Sequence, residues 1–392
     1  MPLLLHLADV HLGARHADMG AAAVQQRARQ LAAFVRAIDI ALRERVDATL
    51  ICGDLFDSNA QPRRSVERAA SELRRLTDAG IRVVIIPGTH DAYDSHSIYR
   101  TFDLAQLAGL PPASELLVVL TPDRPELLIA DLDLVVYGRV FATKRAPRSP
   151  LEGFDVRADD RATWKVGMIH GSRFIAGKVE RDDVLFSDDE IAASGLDYLA
   201  LGHWHSFLSG RAGATTWAYA GAPEPVAVDQ DGAGDVCLVR LEDGIGGRSS
   251  VHLERVRVGR TTFRSIEFDA AELASQDDLV RRLAEQADPD LVLAVTIAGI
   301  SSDSLEIQPD EVQRTLEGSF LHLRIVDRSA TELAAGPELP PDTVAGRFMA
   351  DTAARLEAAE ASADPVATEL ARQVLRLGRR LLLDDPDHVT LA

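Results

Sequence analysis

The sequence is poor in the residues that build disulfide frameworks and membrane spans. Its 392 residues include only two cysteines, Cys52 and Cys237, and both lie in apolar, strand-like runs. Two buried thiols in so long a chain fit a reducing compartment and exclude a disulfide-dependent fold. The longest apolar run, around 291–300, is too short to cross a bilayer. The first residues lack the basic region and apolar core of a signal peptide. We therefore expect a cytoplasmic protein without membrane contact.

The sequence also has fewer cations than anions. It contains 42 Lys plus Arg against 61 Asp plus Glu, a formal charge of −19. This balance argues against a nucleic-acid binder, because a phosphate backbone is attracted to basic surface. Carboxylates gathered around divalent cations reverse the sign locally, so the net charge does not exclude that function. The length predicts two or three domains.

The chain is organised around a strand that ends in Gly53 and Asp54. The apolar run 48–52 before them stops abruptly, as a buried parallel strand does at the carboxyl edge of an α/β sheet. Strands are also predicted at 3–8 and 82–86, with helices at 25–45 and 62–79 between them. Right-handed crossovers bring the ends of these three strands to one sheet edge. The polar residues that follow the three strands are Asp9, His11, Asp54 and His90.

Two later predicted strands also end in histidine. The strand at 165–169 runs into His170, and the strand at 198–201 runs into His203 and His205. Any one of these segments alone could be an ordinary polar turn. Together they predict a mixed oxygen and nitrogen pocket for two divalent ions, with Asp54 as the shared carboxylate. Such a pocket activates water and offsets charge on a phosphorus transition state.

The ordered set of motifs resembles the calcineurin-like metallophosphoesterase superfamily. The stretches Leu-Ala-Asp-Val-His-Leu-Gly and Cys-Gly-Asp-Leu-Phe-Asp resemble the SbcD/Mre-type subunits of DNA repair nucleases more closely. The resemblance implies an α/β fold: a metallophosphoesterase two-sheet α/β sandwich, a small α+β capping domain and C-terminal helices. The expected domains are a nuclease body over 1–258, a capping and DNA-contacting domain over 259–335, and helices over 340–392.

The resemblance also implies roles for the residues of the pocket. One metal ion would be held by Asp9, His11, Asp54 and His205. The other would be held by Asp54, Thr89, His170 and His203. His90 would act as general acid toward the leaving oxygen or would stabilise the transition state, and Asp91 would orient it. Manganese is the expected ion because of the histidine content, with magnesium as the alternative.

One position departs from the family pattern. The family usually has Gly-Asn-His, and this chain has Gly-Thr-His with Thr89 in the middle. A hydroxyl is a poorer ligand than an amide oxygen, so the second metal is expected to bind more weakly or through water. His6 is expected to be a core residue.

Two basic clusters are candidates for contact with phosphate. The first is a loop over 139–148 and the second lies at the junction over 255–264; either could instead be a solvated surface. The candidate DNA-binding residues are Arg139, Lys144, Arg145, Arg255, Arg257 and Arg260.

Three functions compete on this sequence. The first is a metal-dependent DNA exonuclease, with endonuclease action on hairpins, paired with an SbcC-like coiled-coil ATPase and able to form a homodimer. The C-terminal helices would bind the ATPase, although they could simply fold back on the body. The second is a phosphoesterase for another substrate, since fold does not fix substrate. The third is a scaffold subunit whose second metal site is weakened at Thr89.

Overall fold

The computed structural model describes residues 1–179, 181–227, 230, 232–243, 249–301, 305–331, 340–362 and 364–383. The strands in these residues are β1 (Leu3–Leu7), β2 (Ala48–Cys52), β3 (Arg82–Ile86), β4 (Leu117–Val119), β5 (Glu126–Ile129), β6 (Leu134–Gly138), β7 (Trp164–His170), β8 (Ser172–Arg173), β9 (Leu185–Phe186), β10 (Tyr198–Gly202), β11 (Leu208–Ala212), β12 (Thr215–Tyr219), β13 (Asp235–Asp243), β14 (Ser249–Arg257), β15 (Thr262–Asp269), β16 (Asp288–Ala298), β17 (Ile300–Ser301), β18 (Phe320–Asp327) and β19 (Ala330–Thr331). The α-helices are α1 (Ala23–Glu44), α2 (Arg63–Asp78), α3 (Ile98–Thr101), α4 (Leu104–Leu107), α5 (Asp188–Ala193), α6 (Gln276–Ala284), α7 (Pro309–Thr315), α8 (Val344–Ala361) and α9 (Pro365–Leu383).

Two six-stranded sheets pack face to face. The first has the order β14-β13-β1-β2-β3-β4 and the second the order β11-β12-β10-β7-β6-β5. Strands β1, β2 and β3 run parallel, and so do β7 and β10. Apolar side chains of both sheets form one buried core, with Leu50 and Val84 from the first sheet and Val166 and Tyr198 from the second. The two-sheet α/β sandwich expected from the sequence is thereby confirmed.

Two amphipathic helices cover the outer face of the first sheet. In α1, Phe34, Ile38 and Ala41 recur at helical spacing and are fully buried. In α2, Val66 and Leu73 do the same. Each buried large side chain stabilises this layer by about 1.5–3 kcal/mol. The helices lie within two residues of their predicted bounds, and they fix the strand ends that carry the polar residues.

A third sheet follows the body. Its order is β15-β16-β18, and all three strands run parallel, with α6 and α7 in the two crossovers. Polar side chains link it to the body: the Arg29 guanidinium donates to Asp290, and Glu224 accepts from the backbone N–H groups of Arg260 and Thr261. Because Glu224 is almost fully buried, these bonds hold the start of β15 against the body.

The chain divides into two compact units. The first comprises residues 1–299 and 306–329, and the second 300–305 and 330–392. Within the second unit, α8 and α9 pack along each other, and the ring of Phe348 lies against Gly378. Residues 302–304, 332–339, 363 and 384–392, which fall in the two predicted C-terminal domains, lie outside the described residues. The division after 258 and 335 stays a prediction. In the described parts of the chain, no helix combines the length and apolarity needed to cross a membrane.

Candidate metal centre

The polar residues predicted at five strand ends converge on one edge of the sandwich. Ligand atoms of six of them, together with Asp57, form three overlapping groups, each within 4.8 Å. The groups are Asp9, His11 and His205; Asp9, Asp54 and His170; and His11, Asp57 and His90. The parallel strands of both sheets end at this edge, so residues almost 200 positions apart meet there.

The backbone at these strand ends is locally strained. Among the described residues, eight that are not glycine have positive φ, and four of them are Asp9, His11, Asp54 and His203. Asp and His tolerate this conformation better than most residues, and such strain concentrates at functional sites. The turns are tied together, since the N–H of His11 donates to the carbonyl of Asp54 over 2.9 Å. The left-handed backbone at these residues therefore directs their side chains toward the same edge of the sandwich.

Two glycines permit close packing of the strand ends at this point. A Cβ on Gly53, whose φ is +84°, would meet Nδ1 of His170. A Cβ on Gly88 would meet the carboxylate of Asp54. Glycine at both positions is therefore a steric requirement of the site.

Asp54 lies between the histidines of the two halves. Its Oδ2 is 3.1 Å from Nε2 of His170 and 3.8 Å from Nε2 of His11. The hydroxyl of Thr89 lies 3.5 Å from the same oxygen. The other carboxylate oxygen, Oδ1, accepts the backbone N–H of His90 over 2.7 Å. One oxygen of Asp54 thus lies within 4 Å of candidate ligand atoms from both predicted halves of the centre.

The charges of the centre shift the pKa values of its residues strongly. Burial opposes ionisation of Asp54, but His170 and His11 outweigh burial and hold its pKa well below the usual range. Burial likewise opposes protonation of His170, but Asp54 and Asp9 outweigh burial and raise its pKa to about 10. The buried, ionised carboxylates are therefore stable only with positive charge beside them, which protons on the histidines or divalent cations can supply.

The donor set fits a metal ion. Nε2 of His170 is buried and, although Oδ2 of Asp54 lies 3.1 Å away, it has no hydrogen-bond partner among the described residues. Nε2 of His11 and Nε2 of His205 face each other at 3.1 Å. A buried polar nitrogen without a partner is costly, and a cation would satisfy it. Imidazole nitrogens mixed with carboxylate oxygens suit divalent transition metals.

His90 and Asp91 have different surroundings. The side chain of His90 is exposed, and its Nδ1 lies 3.0 Å from the carbonyl of Asp57. Asp91 is fully buried and accepts the N–H groups of Asp54, Phe56 and Gly88 and the hydroxyl of Tyr99. Asp91 thus fixes the backbone of both turns, whereas the sequence led us to expect it to orient the ring of His90.

The predicted second half of the centre is assembled less tightly. Thr89 is buried beside Asp54, as expected. His203 belongs to none of the three groups formed by the described residues, although its ring centroid is 5.2 Å from that of His170. Its backbone N–H donates to Asp9, and its Nε2 faces Asp182 at 3.1 Å.

Three residues that support the ligands have no assigned role in the sequence analysis. Asp57 lies 3.4 Å from Nδ1 of His11, and Gln230 lies 2.6 Å from Nδ1 of His205. Asp182 contacts His203 from the loop before β9. Asp57 shares a motif with Asp54 and could have been found from that spacing. Asp182 and Gln230 sit in irregular segments without any pattern to mark them.

The six candidate DNA-binding residues all have partners within the chain. Lys144 and Arg145 pair with Asp183, and Arg139 lies over the ring of Phe154. Arg255 and Arg257 pair with Asp235, and Arg260 with Asp290. An exposed pair such as Arg145 with Asp183 is worth about 0–1 kcal/mol and can be exchanged for a phosphate contact, whereas Asp235 is buried, so releasing Arg255 would cost more. Contact with DNA stays a prediction.

The chain resembles several known proteins. The chain is 30% identical over 290 residues, 72% of this chain and 67% of the other, to the DNA double-strand break repair protein Mre11 of Aeropyrum pernix. It is 40% identical over 90 residues, 23% of this chain and 22% of the other, to the protein of that name from Sulfolobus acidocaldarius. The crystal structure of TT1561 of Thermus thermophilus aligns with 66% of this chain and 99% of that chain, at 14% identity and a TM-score of 0.39. Residues 2–207 match the calcineurin-like phosphoesterase family, and the chain belongs to that family.

Proposed function

We propose that this protein is a metal-dependent phosphodiesterase that hydrolyses DNA phosphodiester bonds in double-strand break repair. The observation that carries the proposal is the position of Asp54, one oxygen of which faces His11, His170 and Thr89. The family implies divalent metals, and relatives named for DNA double-strand break repair support DNA as the substrate.

Two cations are assigned to the two halves of the centre. Asp9, His11 and His205 would share the first ion with Asp54. Thr89, His170 and His203 would share the second ion with Asp54. Manganese is favoured over magnesium because imidazole supplies most of the neutral ligands. When bound, the ions supply Lewis-acid polarisation of a phosphoryl oxygen and offset charge in the transition state.

His90 is the proposed general acid. A carbonyl can only accept, so the contact with Asp57 requires a proton on Nδ1 of His90. In the general-acid role Nε2 would carry the second proton of the imidazolium and give it to the leaving oxygen, which leaves the neutral ring with its proton on Nδ1. The exposure of this side chain suits contact with a large substrate. Asp91 would keep His90 in place through the backbone of the turn.

The substrate and partner surfaces extend the proposal. Lys144 and Arg145 pair with Asp183, next to Asp182, which contacts His203, so these two cations lie near the edge of the centre. They, with Arg139, Arg255, Arg257 and Arg260, are the proposed contacts for the DNA backbone. The domain over 259–335 would cap the substrate. The helices over 340–392 would bind an SbcC-like coiled-coil ATPase in the cytoplasm, and a homodimer is part of the proposal.

The experiment is a nuclease assay on end-labelled linear and hairpin duplex DNA with manganese. Wild type is compared with His90→Ala and with the control His96→Ala, since the side chain of His96 is exposed and, among the described residues, its ring bonds only to the neighbouring Ser95. We expect His90→Ala to slow cleavage by roughly 10²- to 10⁴-fold with DNA binding retained. We expect His96→Ala to behave as wild type.

Two other outcomes would favour the competing functions. Hydrolysis of bis-nitrophenyl phosphate without any cleavage of DNA would favour a phosphoesterase for another substrate. One manganese ion per chain at saturation, with no turnover on either substrate, would favour a scaffold subunit with a decayed second site.

A further inference from the structure

A chain of hydrogen bonds runs beside the second half of the centre. The indole N–H of Trp204 donates to Oγ of Ser172 over 2.8 Å. The hydroxyl of Ser172 in turn donates to Oδ2 of Asp182. The same carboxylate oxygen faces Nε2 of His203 at 3.1 Å. None of Trp204, Ser172 and Asp182 has a role in the proposed function.

The position of each proton in this series of hydrogen bonds follows from which groups can donate and which can accept. An indole N–H can only donate, so Oγ of Ser172 accepts from Trp204 and must send its own proton to Asp182. An ionised carboxylate can only accept, and Oδ1 of Asp182 already takes the N–H of Asp183 over 2.6 Å. Nε2 of His203 must therefore carry a proton. The lone pair of the neutral ring is left on Nδ1.

The series of hydrogen bonds is held in place at the Trp204 end. The ring of Trp204 stacks on that of Tyr219, with centroids 5.0 Å apart and 12° between the planes. The hydroxyl of Tyr219 donates to the carbonyl of Gly171 and accepts the N–H of Arg173, both over 2.9 Å. Both backbone groups lie within three residues after His170. The segment that carries His170 therefore also supports the hydrogen bonds that hold Asp182 beside His203.

We propose that Asp182 is a positioning residue that fixes the tautomer and orientation of His203, so that Nδ1 faces the second cation. A carboxylate that accepts the second N–H of a ligand histidine is a common support in metal sites and raises the basicity of the ligand. The support has particular value here because Thr89 offers a hydroxyl where the family has an amide. The inference rests on the proposed function, since it requires a two-ion centre.

The test counts manganese ions and needs no substrate. Manganese is titrated into the full chain, free ion is followed by its six-line EPR signal, and bound pairs by their exchange-coupled signal. In Asp182→Asn the side-chain NH₂ group, itself a donor, must face one of the groups that donate to the carboxylate in wild type, so one hydrogen bond is lost. We expect the affinity for the second ion to fall roughly 10- to 100-fold, with loss of the coupled signal and an unchanged first ion.

The matched control is Asp183→Asn. Asp183 is the neighbouring carboxylate, but it pairs with Arg145 and Lys144 on the surface, so we expect the affinities of wild type. Ser172→Ala removes one donor to Asp182 and should weaken the second ion by a smaller factor. If Asp182→Asn fails to fold by circular dichroism, Ser172→Ala decides: an unchanged second ion in that variant overturns the proposal.

A double-mutant cycle separates positioning from direct ligation. If Asp182 acts through His203, then Asp182→Asn has no further effect on metal affinity in a His203→Ala chain. A further loss in that background overturns the positioning role, and so do wild-type affinities in Asp182→Asn or a single bound ion in wild type. DNA cleavage decides the proposed function separately, because a chain that binds two ions without cutting DNA leaves this inference intact.

Discussion

The two halves of the candidate metal centre are built differently. In the first half, Asp9 and His11 are buried at the end of β1, and His11 is contacted by Asp57. In the second half, Thr89 supplies only a hydroxyl, and the side chain of His203 is 23% exposed. The ligands of the first half are fixed by the hydrophobic core and by turns that hydrogen-bond to each other. The exposed ligand of the second half is held by a carboxylate that a loop supplies.

This difference indicates that the affinity for each metal ion depends on how firmly the protein holds the ligands of that ion. A ligand whose rotamer is locked by buried neighbours loses little freedom when an ion binds. A ligand that is partly exposed must be held in place by a partner when the ion binds. We therefore expect unequal affinities for two ions of the same element, with the second ion the weaker.

The largest expected effect comes from the residue that the halves share. Asp54→Asn removes the charge that faces both sets of histidines, so we expect both ions to bind weakly. Loss of several kcal/mol of transition-state stabilisation should lower DNA cleavage by more than roughly a thousandfold. Cleavage and manganese stoichiometry check this, with Asp131→Asn as a surface control. Retention of one tight ion in Asp54→Asn would show that the halves are independent.

A paired substitution separates the halves. His11→Ala should remove the first ion and His203→Ala the second, each with a drop in the affinity of its own ion of at least roughly 10- to 100-fold. The coupled EPR signal should vanish in both variants, while the residual single ion should bind more tightly in His203→Ala. Equal affinities for the residual ion in the two variants would break the comparison.

The third prediction concerns the strand that carries the first half. Burial lowers the pKa of His6 from 6.5 to about 3, although its hydrogen bond to the carbonyl of Leu201 partly opposes this. Because the pKa is lower in the folded chain, the unfolded chain binds a proton first as the pH falls. Folding stability is therefore lost progressively below about pH 6.5 and down to about pH 3.

This loss can be measured with a matched pair of variants. Between pH 7 and pH 5, His6 should account for about 2 kcal/mol of lost unfolding free energy. Urea unfolding at both pH values should show a smaller loss for His6→Gln than for wild type, and the full loss for His96→Gln. An equal loss in wild type and His6→Gln would mean that His6 is protonated in the folded chain.

The smallest expected effect is a gain. Thr89→Asn places an amide oxygen beside Asp54, where the hydroxyl lies now. We expect the second ion to bind several-fold more tightly and the first ion to be unchanged, because an amide oxygen is the better ligand. Isothermal titration with manganese measures this, and Thr101→Asn outside the centre is the control. A weaker second ion in Thr89→Asn would remove Thr89 as the cause of the asymmetry.

Much of the fold follows from the pattern of the sequence. The apolar runs at 48–52 and 82–86 and two helical stripes specify strands β2 and β3 and helices α1 and α2 to within two residues. The polar residues at the strand ends could be placed on one edge, because parallel strands with right-handed crossovers leave no other arrangement. The burial of His6, confirmed in the structure, follows from its place within an apolar strand.

The remainder depends on contacts that no local pattern encodes. Asp182 reaches His203 from an irregular loop, and Gln230 reaches His205 from another. The bonds of Asp91 to the backbone of Asp54 and Phe56 join turns 35 and more residues apart. The partners of the basic residues were hidden for the same reason, since Asp183 and Asp290 are distant in sequence from the cations they neutralise.

The most direct test is anomalous diffraction at the manganese edge from crystals soaked in manganese. Two peaks flanking the carboxylate of Asp54, the stronger beside His11 and His205, are the result expected from two cations held unequally. An absence of anomalous density beside Asp54, or peaks only at the surface carboxylates, would contradict a dinuclear centre and remove the basis for hydrolysis at this site.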